Sequence, residues 1–511
     1  MRATNFLQDE GRLMDCLKHI TLLVFISCVT TPADAMAIQR KVFEAALDTP
    51  AISKIERPNL IIIFCDDLGY GDLGCYGSTN NRTPNIDRLS DGGNRFTNFY
   101  SSSPVCTPSR ASLMTGCYPR RVGMHEDFTG HWVLIPRSRR GLNPAETTIA
   151  EVLKAEGYKT ACIGKWHLGD QPEHLPTRHG FDRYFGIPYS NDMQNRQRGD
   201  PPLPLIDQEK VIAAPVNQAT LTQRYTEETI RFIDENRDNP FFIYLPHTFP
   251  HLPLFASNRF KNQSKNGRYG DTVEEIDWST GEIINALKKR RLREKTLVIF
   301  TSDNGSNARN GGSNQPLAGR KGSTMEGGMR VPMIANWPGQ IPQGAVCSEL
   351  ATTMDFLPTF RALARPGTDV ESATDTSSKP IDGHNIANLL MADSKARSPY
   401  HQLLYYRRRQ LQAIRIGDWK YHLPLEKTFP HWADVQHMGT PRPAKLIHLT
   451  TDLQETKDLA KLRPDLVKKF QLAANKATAE LGNENQTGKQ QRIALTLPVG
   501  KPLVLQNDGT Q

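Results

Sequence analysis

Three short runs of this chain are apolar at nearly every position: LIIIF at residues 60–64, FFIYL at 241–245 and LVIFT at 297–301. A strand with one wet face alternates apolar and polar residues. These runs do not alternate, so they read as strands buried on both faces, which is the situation in a parallel sheet covered by helices. Helical signals lie between them. Thr148 and Glu151 form a capping box ahead of Val152 and Leu153, and Gly157 supplies a stop. Val273, Ile276, Ile283, Ile284 and Leu287 recur at helical spacing. The expected fold is α/β, with a large, mostly parallel sheet flanked by helices. Ligands in such sheets bind beyond the carboxyl ends of the strands. Each run leads into polar residues: Asp66 and Asp67 after the first, His247 and His251 after the second, Asp303 and Asn304 after the third.

The 511 residues exceed one small core. A catalytic domain is expected over residues 55–365. Residues 366–381 read as a surface loop rich in Ser, Thr, Asp and Pro, and a smaller α+β domain is expected over 395–481. Its strand-like pieces are 403–406, 413–416 and 419–423, ahead of a mostly helical stretch, 455–481, in which Pro464 marks a break or a start. Residues 482–511 read as a polar tail. At the amino terminus, ITLLVFISCV at 20–29 is far shorter than the roughly 20 residues of a membrane span. With Lys18 before it and Ala33-Asp34-Ala35 after it, residues 1–35 read as a signal peptide. Met14 is the better-placed start, and Cys28 fits a lipid-attachment site poorly because Phe25 precedes it. The expected location is periplasmic or secreted, with no stable membrane span.

The net charge of +9 suits anionic substrates. Its basic clusters are short and come with no nucleic-acid-binding signature. Beyond the presequence the cysteines are Cys65, Cys75, Cys106, Cys117, Cys162 and Cys347, with no Cys-x-x-Cys pair. Zinc and dithiol chemistry are therefore unsupported, and Cys65, Cys162 and Cys347 are expected to be small buried apolar residues.

Cys106-Thr107-Pro108-Ser109-Arg110 stands apart, running on into Ala111-Ser112-Leu113-Met114-Thr115-Gly116. The cysteine sits just before a predicted helix, whose free N–H groups favour an anion, and Arg110 falls one turn on, on the same face. Asp66, Asp67, Asp303 and Asn304 offer oxygen donors only. Such a set selects a hard cation, Ca2+ or less readily Mg2+, and adjacent carboxylates at a buried strand end would repel without one. In Gly164-Lys165-Trp166-His167, a strand-like alternation would turn Lys165 and His167 to one side.

With these motifs the sequence resembles the type I, formylglycine-dependent sulfatases over roughly residues 55–345, nearest the branch of arylsulfatase A and N-acetylgalactosamine-6-sulfatase. Shared segments are Asp66-Asp67-Leu68-Gly69-Tyr70-Gly71-Asp72, Gly164-Lys165-Trp166-His167-Leu168-Gly169, Gly186-Ile187-Pro188-Tyr189-Ser190 and Glu326-Gly327-Gly328-Met329-Arg330-Val331-Pro332. The resemblance implies a fold like that of alkaline phosphatase and conversion of Cys106 to formylglycine by a separate maturation enzyme. It implies Ca2+ on Asp66, Asp67, Asp303, Asn304 and residue 106. It also implies sulfate contacts from Lys165 and Lys321, proton handling by His167, and a leaving-group role for His251, whose His-Leu-Pro context matches. His247 lacks that context, Arg320 is the more exposed neighbour of Lys321, and Ser190 matches a substrate-side serine. The function so implied is hydrolysis of sulfate esters of sugars or aryl groups.

The alternative is a formylglycine-dependent phosphoester or phosphonate hydrolase of the same superfamily. A non-catalytic sulfoglycan-binding protein would be expected to lack Cys106, Arg110 or Lys321, and all three are present. Loops at 125–143, 189–215 and 305–320 are expected to shape the substrate pocket, and His125, His131, Trp132, Arg196 and Arg198 suit a polyanionic sugar. The sulfated substrate, exo or endo action and oligomeric state are not legible.

Overall fold

A computed structural model describes residues 57–194, 197, 199–366, 379–428 and 439–501. The predicted signal peptide, Met14, Cys28, Arg196 and Arg198 lie outside the described residues.

Ten strands form the main sheet: β1 (Asn59–Cys65), β2 (Asn94–Phe96), β3 (Lys159–Ile163), β4 (Arg183–Gly186), β5 (Leu205–Asp207), β6 (Lys210–Ala213), β7 (Phe241–Pro246), β8 (Thr296–Ser302), β9 (Met333–Asn336) and β10 (Ala345–Cys347). They run in the order β10-β2-β9-β8-β1-β7-β3-β4-β5-β6. The central five, β8-β1-β7-β3-β4, are mutually parallel. Antiparallel pairings carry the sheet outward, from β8 to β9 to β2 on one side and from β4 to β5 to β6 on the other. The three apolar runs are β1, β7 and β8, side by side and buried at every position, because helices cover both faces as the lack of alternation required.

The helices that matter here are α1 (Cys106–Thr115), α2 (Ile149–Ala155), α3 (Leu221–Glu235), α4 (Gly267–Lys289) and α5 (Pro464–Leu481). On α2 the Thr148 hydroxyl accepts from the Glu151 N–H at 3.2 Å, and the Glu151 carboxylate accepts from the Thr148 N–H at 2.8 Å, the reciprocal cap the sequence foretold. Val273, Ile276, Ile283 and Leu287 lie on the buried stripe of α4. Pro464 opens α5, so 455–463 is not helical.

Beyond the main sheet lies a four-stranded antiparallel one: β11 (Leu403–Arg407), β12 (Gln410–Ile416), β13 (Trp419–His422) and β14 (Lys445–His448). Buried ion pairs tie it to the segment after β8. Lys420 Nζ donates to Glu326 at 3.0 Å and to Glu455 at 3.3 Å, and all three side chains are sealed from solvent. The stretch expected as a polar tail is held down across its described part. Leu495–Thr496 pairs with Arg140–Gly141, and Arg492 forms an ion pair with buried Glu146 at 2.8 Å. A composition-based reading could not see this, because the contacts are long-range: backbone pairing, a charge pair and side-chain hydrogen bonds such as Arg139 Nε to the Leu497 carbonyl. Among the described residues no helix is long and apolar enough to cross a membrane.

Candidate active site

Five neighbouring parallel strands each end in a residue of the site. Asp303 and Asn304 follow β8, Asp66 and Asp67 follow β1, His251 follows β7, Lys165 and His167 follow β3, and Ser190 follows β4. The ends fit because two of their residues are glycines. A Cβ on Gly164 would stand 2.0 Å from the Pro246 carbonyl oxygen, and one on Gly186 would stand 1.8 Å from that of Gly164.

Helix α1 points its amino terminus at this row. Cys106 is its first residue, Val105 its N-cap, and Gly116 closes it in the left-handed conformation. The Cys106 Sγ lies 3.2 Å from Asp66 Oδ1. Arg110, one turn on, is fully buried. Its Nε and Nη2 donate to Asp303 Oδ2 at 3.2 and 2.9 Å, and its Nη1 donates to the Lys165 carbonyl at 2.7 Å. It also lies over the Phe64 ring at 5.4 Å. Arg110 therefore ties the helix to two strand ends at once.

Lysines complete the charge pattern. Lys165 Nζ donates to Asp66 Oδ2, and to Ser190 Oγ at 3.1 Å. Lys321 Nζ donates to Asp67 Oδ2 at 2.7 Å. Burial alone would push the Asp66 carboxyl up, but Lys165, then His251, Arg110 and Lys321, outweigh it and hold it well below the usual carboxylate range. Asp303 goes the other way, pushed up to about 7 by burial and by Asp66, against the pull of Arg110. Burial, then Asp66, pushes the Cys106 thiol well up, so an unaltered Cys106 stays a thiol and not a nucleophilic thiolate.

The donor set fits a cation. Asp66, Asp67 and Asp303 are buried within one cluster, and Asn304 Nδ2 donates to Asp67 Oδ1 at 2.8 Å. Asn304 Oδ1 is buried with no hydrogen-bond partner, which leaves its lone pairs unused in a sealed place. Ligand atoms of Asp66, Asp67, Cys106 and His251 lie within 4.8 Å of one another. His251 thus stands closer to the carboxylates than an oxygen-only site required.

The two histidines differ in where the fold places them. His251 lines the cavity, with Nδ1 3.1 Å from Asn191 Oδ1 and Nε2 3.7 Å from Asp67 Oδ2. His247 is buried, with no partner at either nitrogen. His167 reaches the cavity by a route other than strand alternation. It lies past the end of β3 in a left-handed conformation, φ 61°, and Asp67 shares that conformation at φ 65°. Such backbone costs on the order of 1–3 kcal/mol per residue and concentrates at functional sites. His167 Nε2 lies 2.9 Å from the Leu134 carbonyl oxygen, which can only accept, so Nε2 carries the proton and Nδ1, without a partner, is the free base.

Asp67, Cys106, His167, Ser190, His251 and Lys321 floor a cavity of about 910 Å3, walled by apolar residues including Trp132, Met193 and Pro253. Asp192, Arg309 and Arg408 also line it. Sequence reasoning did not single them out, since only the folded loops bring them to the mouth. His131 and Trp132 reach the cavity, whereas His125 is buried behind it against Arg120.

The family model described as Sulfatase matches residues 58–366. The chain belongs to the sulfatase family. It is 41% identical to human arylsulfatase A over 71% of its own length and 74% of that protein's. It is 38% identical to human N-acetylgalactosamine-6-sulfatase, over 71% of each. Among solved structures, a sulfatase from Pseudoalteromonas sp. superposes with a TM-score of 0.72 at 28% identity, covering 90% of this chain and 97% of that one. This sulfatase is thus a hydrolase of sulfate esters, and its candidate site lies at the carboxyl ends of the strands.

Proposed function

We propose that this sulfatase acts through a formylglycine made from Cys106 and a calcium ion held by Asp66, Asp67, Asp303 and Asn304 with residue 106. The observation that carries the reading is the buried side-chain oxygen of Asn304, which is unpartnered although its own amide nitrogen donates to Asp67, with Asp66 and Asp303 buried in the same site. Oxygen donors favour a hard cation. When present, the hydrated aldehyde supplies an oxygen nucleophile with a second hydroxyl for sulfate release, and the cation supplies Lewis acidity toward a sulfate oxygen.

The chain's own residues do the rest. Lys165 and Lys321 hold the sulfate oxygens and offset the charge that grows on them. Arg110 holds Asp303 and the Lys165 carbonyl, fixing residue 106 against the strand ends. The two oxygens facing His251 Nδ1 are both acceptors, so that nitrogen keeps its proton. Nε2 is then left to face the ester and to protonate the leaving alcohol. Burial, then Lys321, lowers the His251 pKa, which makes its cation a ready proton donor. Burial, then Lys165, lowers His167 well below its ordinary value and keeps it a neutral base, able to take the proton that accompanies sulfate release. Ser190 orients Lys165.

The substrate is a sulfated sugar or an aryl sulfate, and maturation depends on a separate formylglycine-generating enzyme. The amino-terminal residues support export to the periplasm or beyond. Turnover of 4-nitrophenyl sulfate tests the chemistry. Cys106→Ala is expected to abolish it while the thermal unfolding profile stays that of the parent, and activity near the parent's would remove Cys106 from the reaction.

A further inference from the structure

We propose that the mouth of the cavity carries a second anion-binding subsite, built on Arg309 and Arg408. Its ligand is a further sulfate or carboxylate on the sugar adjoining the one whose ester is cleaved. The inference deepens, and rests on, the assignment of the cavity floor to sulfate ester cleavage.

At the floor and beneath it the charges are matched. Lys165 is paired with Asp66, Lys321 with Asp67 and Arg110 with Asp303. The rim differs. Arg309 is exposed at the lip, and its side chain makes no hydrogen bond or ion pair among the described residues, while its backbone N–H donates to Asn307 Oδ1 at 2.8 Å. The residues on either side, Ala308 and Asn310, are both left-handed, at φ 54° and 57°. A backbone held in that state on both sides of one cation is the kind of strain that persists at ligand clamps.

Arg408 comes from another part of the chain, the turn between β11 and β12, and is itself left-handed at φ 55°. Its Nη2 donates to the Gly130 carbonyl and its Nε to Glu126 Oε2 at 3.3 Å. The guanidinium is therefore held at the cavity wall before any ligand arrives, which lowers the ordering cost of binding. Arg409 also reaches Glu126, at 3.6 Å. Arg407 stands over the Trp132 ring at 5.6 Å, adding a third arginine beside the same wall. The acid at the mouth, Asp192, lies within the field of His251 and Lys165.

Volume points the same way. A cavity of about 910 Å3 is near the upper end of the range of about 300–1,000 Å3 for sites that enclose drug-sized ligands, leaving room for a second ring beside the sulfated one. Arginine suits either anion, since its planar fork matches sulfate and carboxylate oxygens alike.

The test uses the full-length matured enzyme and three disaccharides with the same sulfated ring. The neighbouring ring carries a uronic carboxylate, its methyl ester, or a second sulfate. The parent enzyme should prefer a charged neighbour by about 10- to 100-fold in kcat/KM, as expected for one or two charge-assisted contacts, with the difference in KM. Preference for one charged arm over the other identifies the anion. Arg309→Ala should cut the preference about tenfold. Arg408→Lys should cut it too, since a lysine keeps the charge but not the fork. No preference in the parent, or equal loss on the charged and esterified substrates, would overturn the subsite, the latter because a merely structural arginine affects both alike. Calorimetric titration of the Cys106→Ser protein with the same compounds reads the subsite without turnover. Preference in binding with no hydrolysis of these compounds by the parent enzyme would contradict the floor's chemistry alone, and absence of that preference would overturn the subsite alone.

Discussion

His247 offers a clean electrostatic test, because nothing but burial acts on it. It is sealed from solvent with both ring nitrogens unpartnered, and burial pushes its pKa down to about 3. In the unfolded chain a histidine titrates near 6.5. As pH falls through that value the unfolded chain takes up a proton that the folded chain refuses, so stability is lost toward acid. From pH 7 to pH 5 the two values give a loss of about 2 kcal/mol. Other buried groups act in the same range: Asp72 and Asp355, both pushed up to about 7 by burial, favour the folded state as pH falls. A single substitution cancels them. His247→Leu is similar in volume, removes the titration and buries no unsatisfied nitrogen. At about 2 cal/mol/K per residue, the unit Glu56–Gln511 has an unfolding entropy on the order of 1 kcal/mol/K. The parent's melting temperature should therefore drop about 2 °C further than the variant's between pH 7 and pH 5. Scanning calorimetry or dye-monitored unfolding reads this directly. Parallel pH profiles would refute the reasoning, and a large loss of kcat/KM in the variant would refute the separation of His247 from His251.

Lys321→Met should lower kcat by about 100- to 1,000-fold, the size of losing one preorganised charge on the developing anion, as read by 4-nitrophenyl sulfate turnover. Chelation by EDTA should lower both activity and melting temperature, and Ca2+ but not Zn2+ should restore both. At about 100 times its dissociation constant the ion would contribute about 2.7 kcal/mol. Thr148→Ala should cost about 1 kcal/mol in denaturant unfolding through the lost cap on α2, with the reaction itself untouched.

The central strands were legible because burial on both faces leaves a continuous apolar run, as in LIIIF, FFIYL and LVIFT. The strand-end rule then carried Asp66, Asp67, Asp303, Asn304 and His251 to one place without any side-chain contact being known. Short pieces escaped. β2, β9 and β10 have three or four residues each, too few to show a period. Lys165 and His167 were grouped correctly for a wrong reason, since His167 turns inward through a left-handed backbone that no spacing reveals. Residues 482–501 read as polar because they are, yet Arg492 finds Glu146 across 346 positions of sequence. Arg309 lies in the 305–320 loop that was expected to shape the pocket, but neither it nor Arg408 was singled out, because their common place on the cavity wall depends on the finished fold.

The most direct measurement is mass spectrometry of the peptide carrying residue 106 from active enzyme, with an aldehyde-reactive reagent to mark the product. Formylglycine is predicted at 106, with the marked fraction rising in step with specific activity. Full activity from protein whose Cys106 remains an unmodified thiol would contradict the proposed chemistry.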